Sequence, residues 1–192
     1  FINGKSLGIH PYGYTTFSYD LAPYLDFTKE NILSVRVDNS KQKNCRWYSG
    51  SGIYRHVWLE SKGKVHFAND GIAITTPLIK NNTAAVEVST TIKNDSDQPK
   101  SMQLKTVIFD SKNNKEVQQA FITVQIDPKS EKVFKQNLKV SSPKLWSPES
   151  PNLYNAKVSI IDKQEIADQS ILNFGIRTIT FSVAEGFKLN GK

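Results

Sequence analysis

Apolar residues recur at every second position through most of this chain. Leu33, Val35 and Val37 share one face of "ILSVRVDN", and Ala84, Val86, Val88 and Ile92 share one face of "TAAVEVSTTIK". Met102, Leu104 and Ile108 do the same in "SMQLKTVIF", as do Ala120, Ile122, Val124 and Ile126 in "EVQQAFITVQI". Tyr154, Ala156, Val158 and Ile160 repeat the pattern in "LYNAKVSII". Each run is rich in β-branched or aromatic residues on one side and polar on the other, as a strand with one buried face requires. No segment sustains the i, i+3, i+4, i+7 stripe of an amphipathic helix.

Turn signals punctuate the runs: "NDSDQPK", "DSKNNK", "DPKSEK" and "DKQE". Regular spacing of this kind predicts an all-β fold. From Lys64 to Phe174 about seven strands fit one immunoglobulin-like β-sandwich of roughly 100 residues. Residues 1–61 differ in texture, with more Gly and Tyr and fewer clean hairpins. They offer about four strands where a jelly roll needs about eight, so they read as the second half of such a sandwich. Between two late strands lies "SSPKLWSPESPNLY", whose Pro143, Pro148 and Pro151 exclude a helix or a central strand. It reads as a stiffened connection with Trp146 capping the core.

Composition bounds the function. Of the 192 residues 38% are hydrophobic and 22% charged, as in an ordinary globular protein, and no apolar run reaches the ~20 residues that span a bilayer. The N-terminus "FINGKSLGIH" lacks the basic and apolar regions of a signal peptide, and beginning in mid-pattern it looks like a piece of something longer. The net charge of +7 raises the question of nucleic acid. Residues 1–61 carry 7 basic and 5 acidic side chains, and the remainder 18 and 13. That excess is spread evenly rather than gathered on a stripe, so neither nucleic acid nor membrane is expected as a partner. The lysines read as solvated strand faces and edge protection.

Catalytic and metal-binding chemistry finds little purchase. Cys45 is the single cysteine, and neither His10 nor His56 stands in a Cys–His signature with it. His10, His56 and His66 are too scattered for zinc. Asp95 and Asp97 share a turn without the later bidentate Glu of a calcium loop, and read as local turn chemistry. "YSGSG" is not a nucleophile elbow, since Ser51 has no Gly two residues before it. The chain's four arginines are Arg36, Arg46, Arg55 and Arg177, and three fall within a 20-residue span around "RWYSGSGIYR". In a lysine-rich chain this favours geometry over charge, because the guanidinium fork stacks and bonds in two parallel directions. Gly50 and Gly52 suit a tight corner there, with Trp47 and Tyr48 packing and Arg55 stacking on a neighbour.

Four segments in order resemble glycoside hydrolase family 2, the β-galactosidase and β-glucuronidase family. "NGKSLGIHPYGYTTFSYDLAPYL" and "NILSVRVDNS…RWYSGSGIYRHVWL" resemble the end of its sugar-binding jelly roll (galactose-binding-like). "LWSPESPNLY" resembles the late loop of its immunoglobulin-like domain, and "FGIRTITFSVAEGFKLNGK" the lead-in to its (β/α)8 barrel. The resemblance divides the chain into the C-terminal portion of a jelly roll at residues 1–61, an immunoglobulin-like sandwich at 62–174 and a barrel lead-in at 175–192. It implies a retaining glycosidase as the parent, a β-galactosidase acting in carbohydrate metabolism being the first expectation. Retaining hydrolysis needs two carboxylates about 5–5.5 Å apart. The family carries both on barrel strands, the acid/base directly after an Asn, and this chain has no Asn-Glu dipeptide. No catalytic residue, metal or cofactor is therefore expected in this fragment.

One substrate-binding residue is implied. Arg46 stands just before the aromatic pair, where the family's loop reaches from the jelly roll into the sugar pocket and several relatives carry an acidic residue. The partners implied are the carbohydrate substrate and the catalytic barrel of the parent, with self-association through the incomplete jelly roll. A bacterial periplasmic or secreted parent is favoured over a cytoplasmic one. The competing reading is a free-standing carbohydrate-binding or cell-surface adhesion module, with Trp47, Tyr48 and Tyr54 stacking on sugar faces. The lead-in "GFKLNGK" has no use in such a module.

Overall fold

The computed structural model describes residues 1–40 and 50–192. They form two compact units, Phe1–Leu59 and Glu60–Lys192. The second unit contains seven long strands: β1 (Val65–Lys80), β2 (Thr83–Asn94), β3 (Lys100–Asp110), β4 (Glu116–Ile126), β5 (Ser130–Ser141), β6 (Tyr154–Asp162) and β7 (Glu165–Phe174). A short hairpin of β8 (Ile179–Ser182) and β9 (Gly186–Leu189) follows. The seven strands make two antiparallel sheets, β1-β2-β5 and β4-β3-β6-β7. The chain changes sheet after β2, after β4 and after β5, as an immunoglobulin-like sandwich does. The expected all-β class and the seven expected strands are both found.

Alternation decides the packing. Along β2 burial alternates without a break, and Ala84, Val86, Val88 and Ile92 point into the sandwich. From the other sheet Leu104 and Ile108 of β3 and Val158 and Ile160 of β6 meet them, all with essentially no exposed surface. The register aligns these layers, with Val86 opposite Leu138 and Leu104 between Ile122 and Ile160. Each such side chain withdrawn from water contributes roughly 1.5–3 kcal/mol before chain entropy opposes it.

Two inward polar residues have opposite fates. Gln136 of β5 faces the core, yet its amide is fully engaged. It accepts the Thr106 hydroxyl at 2.6 Å and donates to the Leu104 and Ala120 carbonyls at 3.1 and 3.2 Å. The bonds run to β3 and β4, so Gln136 ties one sheet to the other. Thr90 of β2 is equally buried, and its hydroxyl has no partner.

The edges are guarded. β1 carries two register shifts, one at Asp70-Gly71 where Asp70 has φ 50°, and one at Pro77. A Cβ on Gly71 would stand 2.7 Å from the Ala68 carbonyl oxygen, so the first irregularity requires glycine. On the opposite edge β5 exposes Lys132, Lys135 and Lys139, the charged edge that discourages pairing with another sheet.

In the first unit the expected strands are not found among the described residues. It contains a 3-10 turn at Ala22–Tyr24 and isolated bridges from Ile2 to Lys5 and to Leu33. Asn3 knits it together, accepting the Ile32 amide at 2.9 Å and donating to Asn31 Oδ1 at 2.8 Å and the Tyr24 carbonyl at 3.0 Å. Leu33, Val35 and Val37 were expected to share a buried face but are 53%, 58% and 48% exposed. Their alternation is real. What is lacking among the described residues is a second layer within the unit, and an alternating segment becomes a strand only when a neighbour bonds its edge and something covers its face.

The contrast between the two polar core residues is testable by urea unfolding of the chain. Thr90→Val removes an unpartnered hydroxyl with little change of shape and should raise stability by about 1 kcal/mol. Gln136→Leu orphans the Thr106 hydroxyl and should lower it by about 1–3 kcal/mol. Stabilities moving in the same direction would refute the assignment.

Candidate functional site

The sequence singles out two places, the "RWYSGSGIYR" corner and the loop Ser141 to Tyr154. Arg46, with Cys45, Trp47 and Tyr48, lies outside the described residues. Just beyond them Gly52 has φ 119°, a conformation that glycine adopts freely, in keeping with the tight corner expected there. Tyr54 lies edge-on to Tyr14 at 6.4 Å, and Tyr14 edge-on to Tyr12 at 5.6 Å. His56 stacks on Trp58 at 5.4 Å, and His10 stacks on Phe17 at 4.4 Å while sharing a hydrogen bond with the Thr15 hydroxyl. Arg55 was expected to stack on a neighbour, and it touches no ring among the described residues. Its side chain is exposed.

The second place is closely built. Tyr154 opens β6, buried, and its hydroxyl accepts the Lys144 backbone N–H at 2.9 Å, the tyrosine corner of an immunoglobulin-like sandwich. Lys144 Nζ meets Asp110 Oδ2 at 2.6 Å, and Asp110 Oδ1 accepts the Lys112 backbone N–H at 2.9 Å. The Lys144 ammonium, followed by the Lys112 amide, holds the Asp110 carboxyl below the usual carboxylate range. The same pairing pushes Lys144 up.

From there the loop turns across the end of the sandwich. Leu145 packs on the core and bridges Ile176, and the Trp146 N–H donates to the Ile176 carbonyl at 2.8 Å. Trp146 itself was expected to cap the core. It is half-buried and lies instead between Gly175 and Arg177, with the guanidinium 5.0 Å from the ring centroid. A Cβ on Gly175 would stand 2.8 Å from the Trp146 Cβ, so only glycine lets the two backbones approach this closely. Asn190 completes the tie. It donates to the Trp146 carbonyl at 3.0 Å and accepts the Thr178 N–H at 3.0 Å, joining the β8-β9 hairpin to the loop. Neither Gly175 nor Asn190 could be read from sequence, where "FGIR" and "LNGK" signal only turns.

Beside this tie opens a groove of about 540 Å³, lined by Ile74, Thr76, Leu153, Phe174, Arg177 and Ile179. The Thr76 hydroxyl donates to the Arg177 carbonyl at 3.0 Å. Ile179 pairs with Leu189 and Phe181 with Phe187, which places an apolar face on the hairpin, and Ile179, Phe181 and Phe187 are exposed. Such a corner presents surface for contact and no reacting group. Among the described residues no cluster of three or more His, Cys, Asp or Glu side chains forms. Asp95 and Asp97 hold Lys93 and Lys129 at 3.0 and 3.1 Å. The turn chemistry between β2 and β3 belongs mainly to buried Asn94, which accepts the Ser96 amide and hydroxyl and donates to the Gln98 and Asp127 carbonyls.

The sequence model described as glycosyl hydrolases family 2 matches residues 65–177, more than half of the chain and the whole sandwich with its closing loop. The chain belongs to this family. Over its full length it is 40% identical to a β-galactosidase of Bacteroides ovatus and 39% identical to a putative β-glucuronidase of Formosa agariphila. It spans 22% and 18% of those relatives. Among solved structures a family 2 member from Bacteroides cellulosilyticus superposes on all of it with a TM-score of 0.95 at 38% identity. A Bacteroides uniformis β-glucuronidase does so with 0.88 at 32%. The chain covers 26% and 24% of those two chains.

Two outcomes follow from the closing loop. Gly175→Ala forces Trp146 away and should cost about 1–3 kcal/mol, read from the urea midpoint, with a change in tryptophan fluorescence. An unchanged midpoint would mean that the loop gives way freely. Asp110 has a depressed pKa, so its contribution is present above the ordinary carboxylate range and is lost as pH falls through the folded value. Lys144 has a raised pKa, so its contribution is full below 10.5 and is lost as pH rises through the folded value. Asp110→Asn should therefore lower the melting temperature at neutral pH and flatten its fall at both extremes. Equal slopes in the two proteins would dismiss the pair.

Proposed function

We propose that this chain is the non-catalytic sandwich region of a retaining family 2 glycoside hydrolase, with β-galactosides as its first substrate class. One observation carries the reading: the whole chain aligns with a β-galactosidase at 40% identity while covering only 22% of it. Hydrolysis by two carboxylates is then performed by the catalytic barrel, and this chain supplies binding and support. The exposed apolar face of the β8-β9 hairpin and the adjoining groove favour that barrel as the neighbour of the second unit. A packed domain would bury Ile179, Phe181 and Phe187, which are exposed among the described residues.

Arg46 is assigned to substrate contact in the whole enzyme. A guanidinium donates two parallel hydrogen bonds to adjacent sugar hydroxyls, and an ammonium cannot hold both in one geometry.

The test has two arms. The 192-residue chain alone should not turn over nitrophenyl β-galactoside or β-glucuronide above a blank, and sustained turnover that survives purification would refute the proposal. In the whole enzyme Arg46→Lys should reduce kcat/KM by about tenfold or more, roughly 1.4 kcal/mol of transition-state binding. Unchanged kinetics with a lower melting temperature would make Arg46 a packing residue.

A further inference from the structure

The outer face of the sheet β4-β3-β6-β7 does not look like an ordinary solvated surface. Its centre is Val107, which points outward and is yet only 5% exposed. Lys157 lies directly across from Val107, and Lys105 lies across from Phe121 on one side and Ser159 on the other. Lys105, Val107, Phe109, Lys157 and Ser159 line a groove of about 250 Å³. Both lysines are half-buried, and Lys157 Nζ stands 5.8 Å over the Phe109 ring.

Neither lysine has a carboxylate partner among the described residues. Lys80, Lys115, Lys132 and Lys139 also lack one but are exposed, whereas Lys105 and Lys157 are held half-buried without one. Covering Val107 explains why the two stems lie flat on the sheet. It leaves two cations on one groove without a counter-ion among the described residues, Lys157 reaching toward Phe109 and Lys105 lying one residue pair along the strands in the other direction. Glu116, opposite Phe109, is the one acidic group on the groove, is exposed, and leaves the lining net positive. Around the charges sit donors and flat apolar surface. The Gln169 carbonyl accepts the Ser159 hydroxyl at 3.3 Å, which leaves the amide N–H groups of Gln169 free to donate. Phe121 is 67% exposed at the flank.

We propose that this face binds a carboxylated polysaccharide, a strand of uronate-bearing sugars lying across β3 and β6. Uronate carboxylates along the strand accept charge-assisted hydrogen bonds from Lys105 and Lys157. Sugar hydroxyls take the Gln169 donors, and the apolar face of a ring rests on Phe121. A neutral glycan leaves the two cations unanswered. A nucleic acid needs several phosphate contacts in a row, and the groove offers two cations. The choice of a glycan rests on the function proposed above, but the test does not, because it reads binding by the chain with no hydrolysis.

The experiment is affinity electrophoresis of the 192-residue chain in gels containing polygalacturonate or neutral galactan. Polygalacturonate should retard the chain and galactan should not. Lys105→Gln combined with Lys157→Gln should weaken retardation by about tenfold or more, since both charge-assisted bonds are lost. The control removes the same charge from the β5 edge, Lys132→Gln with Lys139→Gln, and should change little. Phe121→Ala should weaken binding without altering its charge dependence. Absence of retardation, equal retardation by galactan, or equal loss in the two double variants would overturn the proposal. Equally tight binding of double-stranded DNA would overturn it too, showing a general response to polyanions.

Discussion

The hydrogen bond from the Trp146 N–H to the Ile176 carbonyl, 2.8 Å long, governs the far end of the second unit. Loop backbone at the end of a sandwich has no ladder to satisfy it, and unpaired polar groups there are costly. The partners are supplied one by one: the Tyr154 hydroxyl for the Lys144 amide, Ile176 for Trp146, and Asn190 for the Trp146 carbonyl. Because those partners lie on β6, on the segment after β7 and on the hairpin, one set of bonds fixes three pieces of chain. Gly175 permits it by leaving room for the indole, and Arg177 covers the ring's other side. The groove and the apolar hairpin face take their positions from this tie.

The core shows the same economy of polar groups with one lapse. Gln136 is buried with every capacity used, and by reaching from β5 to β3 and β4 it fixes how the sheets register on each other. A satisfied amide in a low-dielectric interior specifies one packing arrangement, which an apolar residue of the same size does less well. Thr90 has the same burial and no partner. It sits between Val88 and Ile92 on the inward face of β2, and nothing in the structure explains why a hydroxyl is kept there.

Fold class by itself does not assign an activity. What links this chain to glycoside hydrolysis is membership of family 2 and the match of both units to solved family structures. The described surfaces are an apolar hairpin, a groove beside Arg177, and a lysine-flanked sheet face. A supporting region of a larger hydrolase needs surfaces of this kind.

The alternation of Ala84 to Ile92, of Met102 to Ile108 and of Tyr154 to Ile160 was enough to place those three strands and their buried faces. Side-chain direction has a period of two wherever a strand forms, so the pattern alone separates inside from outside. The turns at "NDSDQPK" and "DKQE" were legible for a similar reason, since they depend on local backbone preferences. The same logic misled at Leu33, Val35 and Val37, where the pattern is present and no covering layer lies among the described residues of the unit. Only the tertiary structure decided which strands neighbour which, because pairing depends on chain crossings that no local preference encodes. It also decided the roles of Gly175, Asn190, Lys105 and Lys157. Each acts through residues tens of positions away, and a sequence carries no record of those distances until the chain is folded.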